Sequence, residues 1–536
     1  MTPESVPVKG IITKTVNKAA QLAAYLDNLY ILITVSTIAT TRASLAAVFN
    51  PSYSTLVLHP GKSELWTPDI YRYNHGAEVL GTAIGSLPFR EKFLATKLSH
   101  WVDHVALLRP LSLQERQLLF RFCVVPKLGH LPRTLRSHEP PLMAIWERAD
   151  SYVLAEMQCY AASPAPSLVE LKRLVALPMC YGGFGIQQYQ TTVSITYTSA
   201  KAASLLHLSH LGLLPPSDSP PPDLRAALRT MYTEQAAALR ADLPIAYHST
   251  YDDHCNKSSY AFLTVCPTTK ATTLTDTEFQ LGCLVRCFNA GRTGRCSCNA
   301  SRAVPGHDLV CIRAGAERTL RHEGVKGLFQ DSFQRSGSLV EREPRVSWSD
   351  SLGDEQDSTS SRRGDLKVTG GAGLGASTCI LDISIASPFH TTRVQTLAST
   401  LNTRYHDKIL RYSPVFSNFH PIVMSPTGTH HHHTTAIFKS LSACGVDVVE
   451  LKRSIAITLL KFRARAYRAI YDAAKTPRSD VDYSLSPIPR SSARTACARS
   501  SAPSTPAAPD PAPADRPMDT IKCLSCVVLC RICICN

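Results

Sequence analysis

Gly364-Asp365-Leu366-Lys367-Val368 and Ile380-Leu381-Asp382-Ile383-Ser384-Ile385 decide how this chain is read. Both stretches alternate with the period of a half-buried strand. In the first, Leu366 and Val368 point one way while Asp365 and Lys367 point the other. In the second, Leu381, Ile383 and Ile385 share a face and Asp382 lies across from them. The pattern predicts neighbouring strands, each with one carboxylate opposite its aliphatic residues. Paired carboxylates of this kind suit a hard divalent cation, which stabilises charge developing on a phosphate and activates a water.

Outward from the two acids, flanking elements follow in a definite order. Residues 316–337 predict a helix with Leu320, Val325, Leu328, Phe329 and Phe333 on one stripe. Its polar side carries Arg318, Arg321, His322, Glu323 and Lys326. Residues 339–346 predict a strand with Glu341, Glu343 and Arg345 on one face. Residues 391–412 predict a second helix, on which Lys408 and Tyr412 stand at i and i+4 and hence on one side. The basic helix expected at 451–470 belongs on the outer face of this unit.

The whole chain fits such chemistry. Its 536 residues are 44% hydrophobic and 18% charged, which is enough for several folded cores. The net charge of +15 predicts attraction to polyanions, nucleic acid ahead of membrane. The apolar run 29–40 is too short to span a bilayer. No secretory signal opens the sequence, so an intracellular, nuclear location is expected and the 18 cysteines read as thiols and metal ligands. Cys296, Cys298, His307 and Cys311 form C-x-C-x8-H-x3-C, a donor set suited to a tetrahedral, structural Zn²⁺. The C-x-C spacing is tight, which leaves Cys283 and Cys287 as substitutes. Arg286, Arg292, Arg295 and Arg302 surround the segment and suit a phosphate backbone.

Elsewhere the signals are local. Tyr25-Leu26-Asp27-Asn28 reads as strand, turn, strand with an acid at the turn; Lys62 follows a Pro turn, and Leu80-Gly81 is a further turn. Residues 100–211 look helical, with Leu107, Leu108, Leu111, Leu118, Leu119 and Phe122 at roughly helical spacing. The Pro-rich run 215–222 reads as a linker or surface loop, and the histidines 430–433 as a solvated loop in preference to a metal site. The segment from 474 to 536 is rich in Pro, Ala and Ser and is expected to be disordered. Its last cysteines, 523–535, leave open a metal knot, a lipidated tail and sequence without function, the last being preferred.

The helix–strand–strand–strand–helix order with an acid on each central strand resembles the restriction-enzyme-like PD-(D/E)xK nuclease fold. Gly364-Asp365 stands where that pattern has Pro-Asp, and Ser384 stands where it has Lys. Lys408 with Tyr412 on the following helix resembles a narrower branch, the endonucleases of site-specific non-LTR retrotransposons. Arg321-His322-Glu323-Gly324-Val325, Glu343-Pro344-Arg345-Val346 and a Cys-Cys-His-Cys knuckle just upstream are similar to that branch too. Tyr25-Leu26-Asp27-Asn28, Lys62 and Leu80-Gly81 resemble the last three palm motifs of its reverse transcriptase, and 126–133 and 177–186 its thumb and connector.

The resemblance implies a multidomain α+β protein. Its parts would be a palm remnant at 1–100, a helical thumb and connector at 101–211, and a linker with a helix at 212–282. A zinc knuckle at 283–315, an α/β nuclease with a central mixed sheet at 316–473 and a tail at 474–536 complete it. Asp365 and Asp382 would bind Mg²⁺ or Mn²⁺, with Glu323 or Glu343 completing the shell. Lys408, beside Tyr412, would assist the nucleophile or the scissile phosphate. The partners implied are a DNA target and element RNA, with no membrane, and the activity is nicking of DNA for target-primed reverse transcription. Asn28 in place of a second Asp, and the absence of upstream palm motifs, make the polymerase part an inactive remnant in this reading. The alternative is a decayed or domesticated fragment that binds nucleic acid without cutting.

Overall fold

The computed structural model describes residues 21–25, 28–32, 76–79, 81–135, 139–161, 168–210, 223–288, 298, 306–344, 364–370, 378–387, 396–414, 416 and 418–471. The architecture is mixed α and β, with helices dominating. The Pro-rich run 215–222 and the segment 474–536 lie outside the described residues.

Two short hairpins come first. β1 (Gln21–Tyr25) pairs antiparallel with β2 (Asn28–Leu32), with Tyr25 opposite Asn28; Leu26 and Asp27 between them lie outside the described residues. β3 (Gly76–Val79) pairs with β4 (Thr82–Gly85), and Gly81 at φ +73° supplies the left-handed conformation that a two-residue turn requires. The two hairpins are separate sheets.

A helical body follows, and it begins at Leu87 instead of near residue 101. It comprises α1 (Leu87–Ala106), α2 (Leu113–Leu119), α3 (Leu131–Thr134), α4 (Pro140–Ala161) and α5 (Leu168–Ala176). It continues through α6 (Tyr189–His210), α7 (Leu224–Asp242), α8 (His248–His254) and α9 (Asp276–Arg286). Its core is one apolar cluster in which Trp101, Phe120, Trp146, Tyr189 and Phe279 are fully buried. Two of their polar atoms find partners: Trp101 Nε1 donates to Val124 O at 2.8 Å and Tyr189 Oη to Val125 O at 2.7 Å. Leu107 lies just past the end of α1 and is exposed, so the helical spacing that includes it does not mark the core.

One buried acid of this body titrates unusually. Asp150, on α4, accepts the backbone N–H groups of Tyr189 (2.8 Å) and Gln190 (3.0 Å) at the start of α6. Those bonds favour the carboxylate, but burial outweighs them and pushes its pKa from 3.8 up to about 6. The folded state therefore holds this proton more tightly than the unfolded chain. The associated stability is fully present below about pH 4 and is lost as pH rises through about 6, a change on the order of 3 kcal/mol. Denaturant melts of the protein and of Asp150→Asn across this window check it. The difference between them is expected to shift in favour of the Asn variant with rising pH, and a pH-independent difference rejects the assignment.

The remaining elements build around a four-stranded sheet. They are α10 (His307–Val310), α11 (Gly315–Arg335), β5 (Leu339–Arg342), β6 (Leu366–Thr369) and β7 (Thr378–Ile385). Then come α12 (Leu397–Tyr412), β8 (Phe419–Met424), α13 (Thr434–Ala443) and α14 (Val448–Tyr471). The strand order is β5-β6-β7-β8, antiparallel except for β8, which runs parallel to β7 with α12 in the crossover. β8 escapes sequence reading because Pro421 sits in its middle. Pro is tolerated there because β8 is the edge strand.

Val325, Phe329 and Phe333 of α11 pack on one sheet face with Leu366, Val368, Leu381 and Ile383, as the stripes predict. Leu320 is exposed instead. The other face is covered too. Leu397 and Leu401 of α12 meet Val423, and Tyr412 meets Ile380 and Phe419. β7 is consequently buried on both faces, Asp382 and Ser384 included, and not half-buried as its alternation suggests.

The outer-face expectation for 451–470 is overturned. α14 is a central spine about 36 Å long. Leu451, Ile455 and Leu459 pack into the sheet core, while Ala464, Tyr467 and Ile470 pack on Leu281 and Leu284 of α9. Its basic residues alternate with apolar ones on more than one side, so the helix can be enclosed. A second tie joins the two halves: Ser425, Thr427 and Thr429 donate hydroxyl hydrogen bonds of 3.1, 2.7 and 2.6 Å to buried Asp253. Among the described residues no helix is long and apolar enough to cross a membrane.

Candidate active site and metal centre

The register of β6 and β7 brings the two acids together. Leu366 faces Leu381, and Asp365 N donates to Leu381 O at 3.0 Å. The Asp365 carboxylate then reaches over the neighbouring strand, where Ile383 N donates to its Oδ2 at 2.6 Å. The same oxygen lies 3.1 Å from His322 Nε2 on α11, and Ile383 O lies 2.9 Å from that nitrogen. A carboxylate oxygen and a carbonyl oxygen thus converge on one ring nitrogen. The hydrogen bond to Asp365 raises the His322 pKa, against burial, so the imidazolium is favoured there.

Asp382 is almost completely buried, and its Oδ2 lies 2.6 Å from Lys408 Nζ on α12. Burial pushes its carboxyl up, Lys408 pulls it down, and the charge of Asp365 pushes it up again. Lys408 Nζ rests 5.2 Å from the centre of the Tyr412 ring, a cation–π contact that the i, i+4 spacing predicts. That ring is itself held in an aromatic cluster, 5.1 Å from Phe419 and 6.2 Å from Phe416. One turn before Lys408, Arg404 Nε donates to Ser384 Oγ at 2.7 Å. α12 therefore presents two cations to the two polar residues of β7. Arg404 was missed from sequence, although its place four residues before Lys408 marks the same helix face.

Glu323 and Glu343 also lie here, both held by one lysine. Lys326 Nζ is 2.6 Å from Glu323 and 2.8 Å from Glu343, and it is 1% exposed. Glu323 lies 3.6 Å from His322 Nδ1, on the ring edge away from Asp365. Glu343 takes φ +49°, rare for a residue with a side chain, and its N–H donates to Asp365 O at 3.0 Å. Lys326 and Arg321 are buried, contrary to their place on the predicted polar side. α11 is clamped between the sheet and α14, so that side has a neighbour as well.

A second donor cluster lies just before α11. The ligand atoms of Cys298, His307 and Cys311 fall within 4.8 Å of one another, with Cys298 Sγ 3.3 Å from His307 Nε2. Two thiols and an imidazole this close can hold a metal ion, and they are donors that suit Zn²⁺. Cys296 lies outside the described residues. Cys283 and Cys287 pack in the helical core and do not join the group. Arg286 is no phosphate contact either. It is fully buried and donates to Gly183 O at 2.9 and 2.7 Å and to Met179 O at 3.0 Å, because the tight 182–185 loop turns its carbonyls inward. Arg292, Arg295 and Arg302 lie outside the described residues.

In the first hairpin Tyr25 and Asn28 face each other, while Asp27 and Lys62 lie outside the described residues. The histidine run is not wholly solvated: His431 is buried, lies 2.7 Å from Asn402 Oδ1 and stacks at 4.5 Å on Tyr405. Burial, with imidazole neighbours, pushes its pKa down to about 4.

No family model matches the chain, and no curated protein matches it.

Proposed function

We propose that this is a retrotransposon-derived protein, resembling a non-LTR reverse transcriptase/endonuclease, whose sheet unit nicks DNA with Mg²⁺ or Mn²⁺. One observation carries the reading: Asp382 on β7 pairs with Lys408 on the crossover helix, while Asp365 on β6 reaches across to Ile383. Two carboxylates and a carbonyl suit a hard cation. When bound, that cation supplies Lewis-acid stabilisation of the phosphate and activates a water.

The chain's own residues supply the rest. Asp365 and Asp382 hold the cation, and burial beneath α12 limits water around them. Lys408, its stem over Tyr412, carries the positive charge that meets the nucleophile or the scissile phosphate. His322 positions Asp365, and Glu323 with Lys326 fixes the ring from behind. The Cys298, His307 and Cys311 group is read as a structural zinc knuckle with Cys296 as its fourth ligand. A net charge of +15 suits DNA and RNA partners in the nucleus.

The test is supercoiled plasmid incubated with the protein and Mg²⁺ or Mn²⁺, beside Asp365→Ala and Asp382→Ala. The parent is expected to nick, and each variant to nick about 10²–10³-fold more slowly. Nicking that survives both substitutions removes the assignment. Binding without nicking by the parent supports instead a fragment that holds nucleic acid and does not cut it.

A further inference from the structure

The helical body contains a cationic cleft that the nuclease reading does not use. Its centre is Arg121, in the π-helical turn Phe120–Val124 that continues α2. Burial withdraws this guanidinium from water and lowers its pKa to about 10. The other deeply set arginines of the body have oxygen acceptors: Arg116 pairs with Glu156, and Arg286 with two carbonyls. Arg121 donates to Met179 Sδ at 2.8 Å, a weak acceptor, and among the described residues no carboxylate pairs with it. A desolvated cation without an anion is costly, so the site favours one arriving from outside.

The backbone makes room for this side chain. Gly185 has φ +65°, and a Cβ there would stand 2.9 Å from Arg121 Nη2, so a larger residue would push the guanidinium aside. Beyond it opens a cleft of about 410 Å³ between the 177–187 loop, the start of α6 and α7. That volume is within the range of ligand sites. Arg133, exposed at one wall, adds a second guanidinium, and Tyr232 and Tyr260 line the cleft half-buried. Gln187 and Thr196 offer neutral polar groups, and among the described residues the lining contains no acid.

We infer that this cleft binds single-stranded nucleic acid, with a phosphodiester on Arg121 and Arg133 and a base against Tyr232 or Tyr260. Guanidinium and phosphate form paired, charge-assisted hydrogen bonds, and tyrosine rings take any base by stacking. A cleft of this size admits splayed nucleotides and excludes a stacked duplex.

The experiment is fluorescence anisotropy of the full-length protein with labelled single-stranded DNA, the same sequence as RNA, and the DNA as duplex. No divalent metal is present, and salt is varied. Arg121→Gln is expected to weaken single-strand binding about tenfold and to reduce the salt slope by about one. Arg133→Gln, at an exposed position that cannot disturb the core, is expected to act in the same direction. Tyr260→Leu should weaken single-strand binding more than duplex binding. The DNA and RNA arms tell which strand is preferred, and competition by inorganic pyrophosphate tells whether phosphate alone suffices. Two results overturn the inference. One is unchanged single-strand affinity in both folded arginine variants. The other is an equal loss for single strand and duplex in every variant, which marks general charge instead of a cleft.

Discussion

Lys408→Ala is expected to slow plasmid nicking by about 10²–10³-fold while Mn²⁺ binding, followed by calorimetry, persists. The two readouts separate because Lys408 is not an oxygen donor. Its ammonium lies 2.6 Å from Asp382 Oδ2 and is steadied over the Tyr412 ring. Removing it leaves both carboxylates in place. It also leaves burial and Asp365 to raise the Asp382 carboxyl without the cation that now opposes them. Proton and metal then compete more closely for Asp382, so metal binding in the variant should fall off at a higher pH than in the parent. Lys408→Arg keeps the charge and should recover part of the nicking rate. A Lys408→Ala protein that nicks within about twofold of the parent, a change worth under 1 kcal/mol, would show that the lysine only neutralises a buried acid.

Asp308→Ala is the substitution expected to damage the fold most, by about 3–5 kcal/mol. Asp308 follows the metal-cluster residue His307 and is 1% exposed. It accepts both arms of the Arg463 guanidinium, at 2.6 and 3.2 Å, from the centre of α14. Arg321 stands close enough to feel both charges, and its Nε has no hydrogen-bond partner. Without Asp308, two buried guanidiniums face each other with nothing between them, a far larger penalty than an exposed ion pair would leave. The damage should also reach the Cys298, His307 and Cys311 group, since the pair ties its short helix to the spine. Zinc per chain, measured by atomic absorption on protein purified without chelator, should fall together with the denaturation midpoint. The double variant Asp308→Leu with Arg463→Met should recover much of the stability, because it removes both charges. Full zinc and an unchanged midpoint in Asp308→Ala would break the link.

Much of the candidate site was legible because its signals are local. The alternation at 364–368 and 380–385 placed both acids, and i, i+4 spacing put Lys408 over Tyr412. α12 falls within the range its apolar period predicts, and α11 matches its own to within one or two residues at each end. What was missed depends on neighbours remote in the chain. Lys326 looked like a surface lysine until Glu343, seventeen residues on, came back across the sheet. β8 was hidden by Pro421, whose tolerance depends on the strand being at an edge. The cleft around Arg121 could not be read at all, because its walls come from residues 121, 133, 185, 232 and 260.

By itself, then, the sequence determined the type of α11, β6, β7 and α12 and which of their residues share a face, since periodicity is a relation between neighbours along the chain. It also offered Cys298, His307 and Cys311 as metal donors, and the fold brings their ligand atoms within 4.8 Å of one another. Only the tertiary structure decided which charge meets which. The pairing of Asp382 with Lys408 depends on a crossover helix lying over β7, and that of Asp308 with Arg463 on a spine passing between two cores. The physical reason is the same in both cases. A buried charge is tolerable only beside its opposite, and packing, not spacing, supplies the partner.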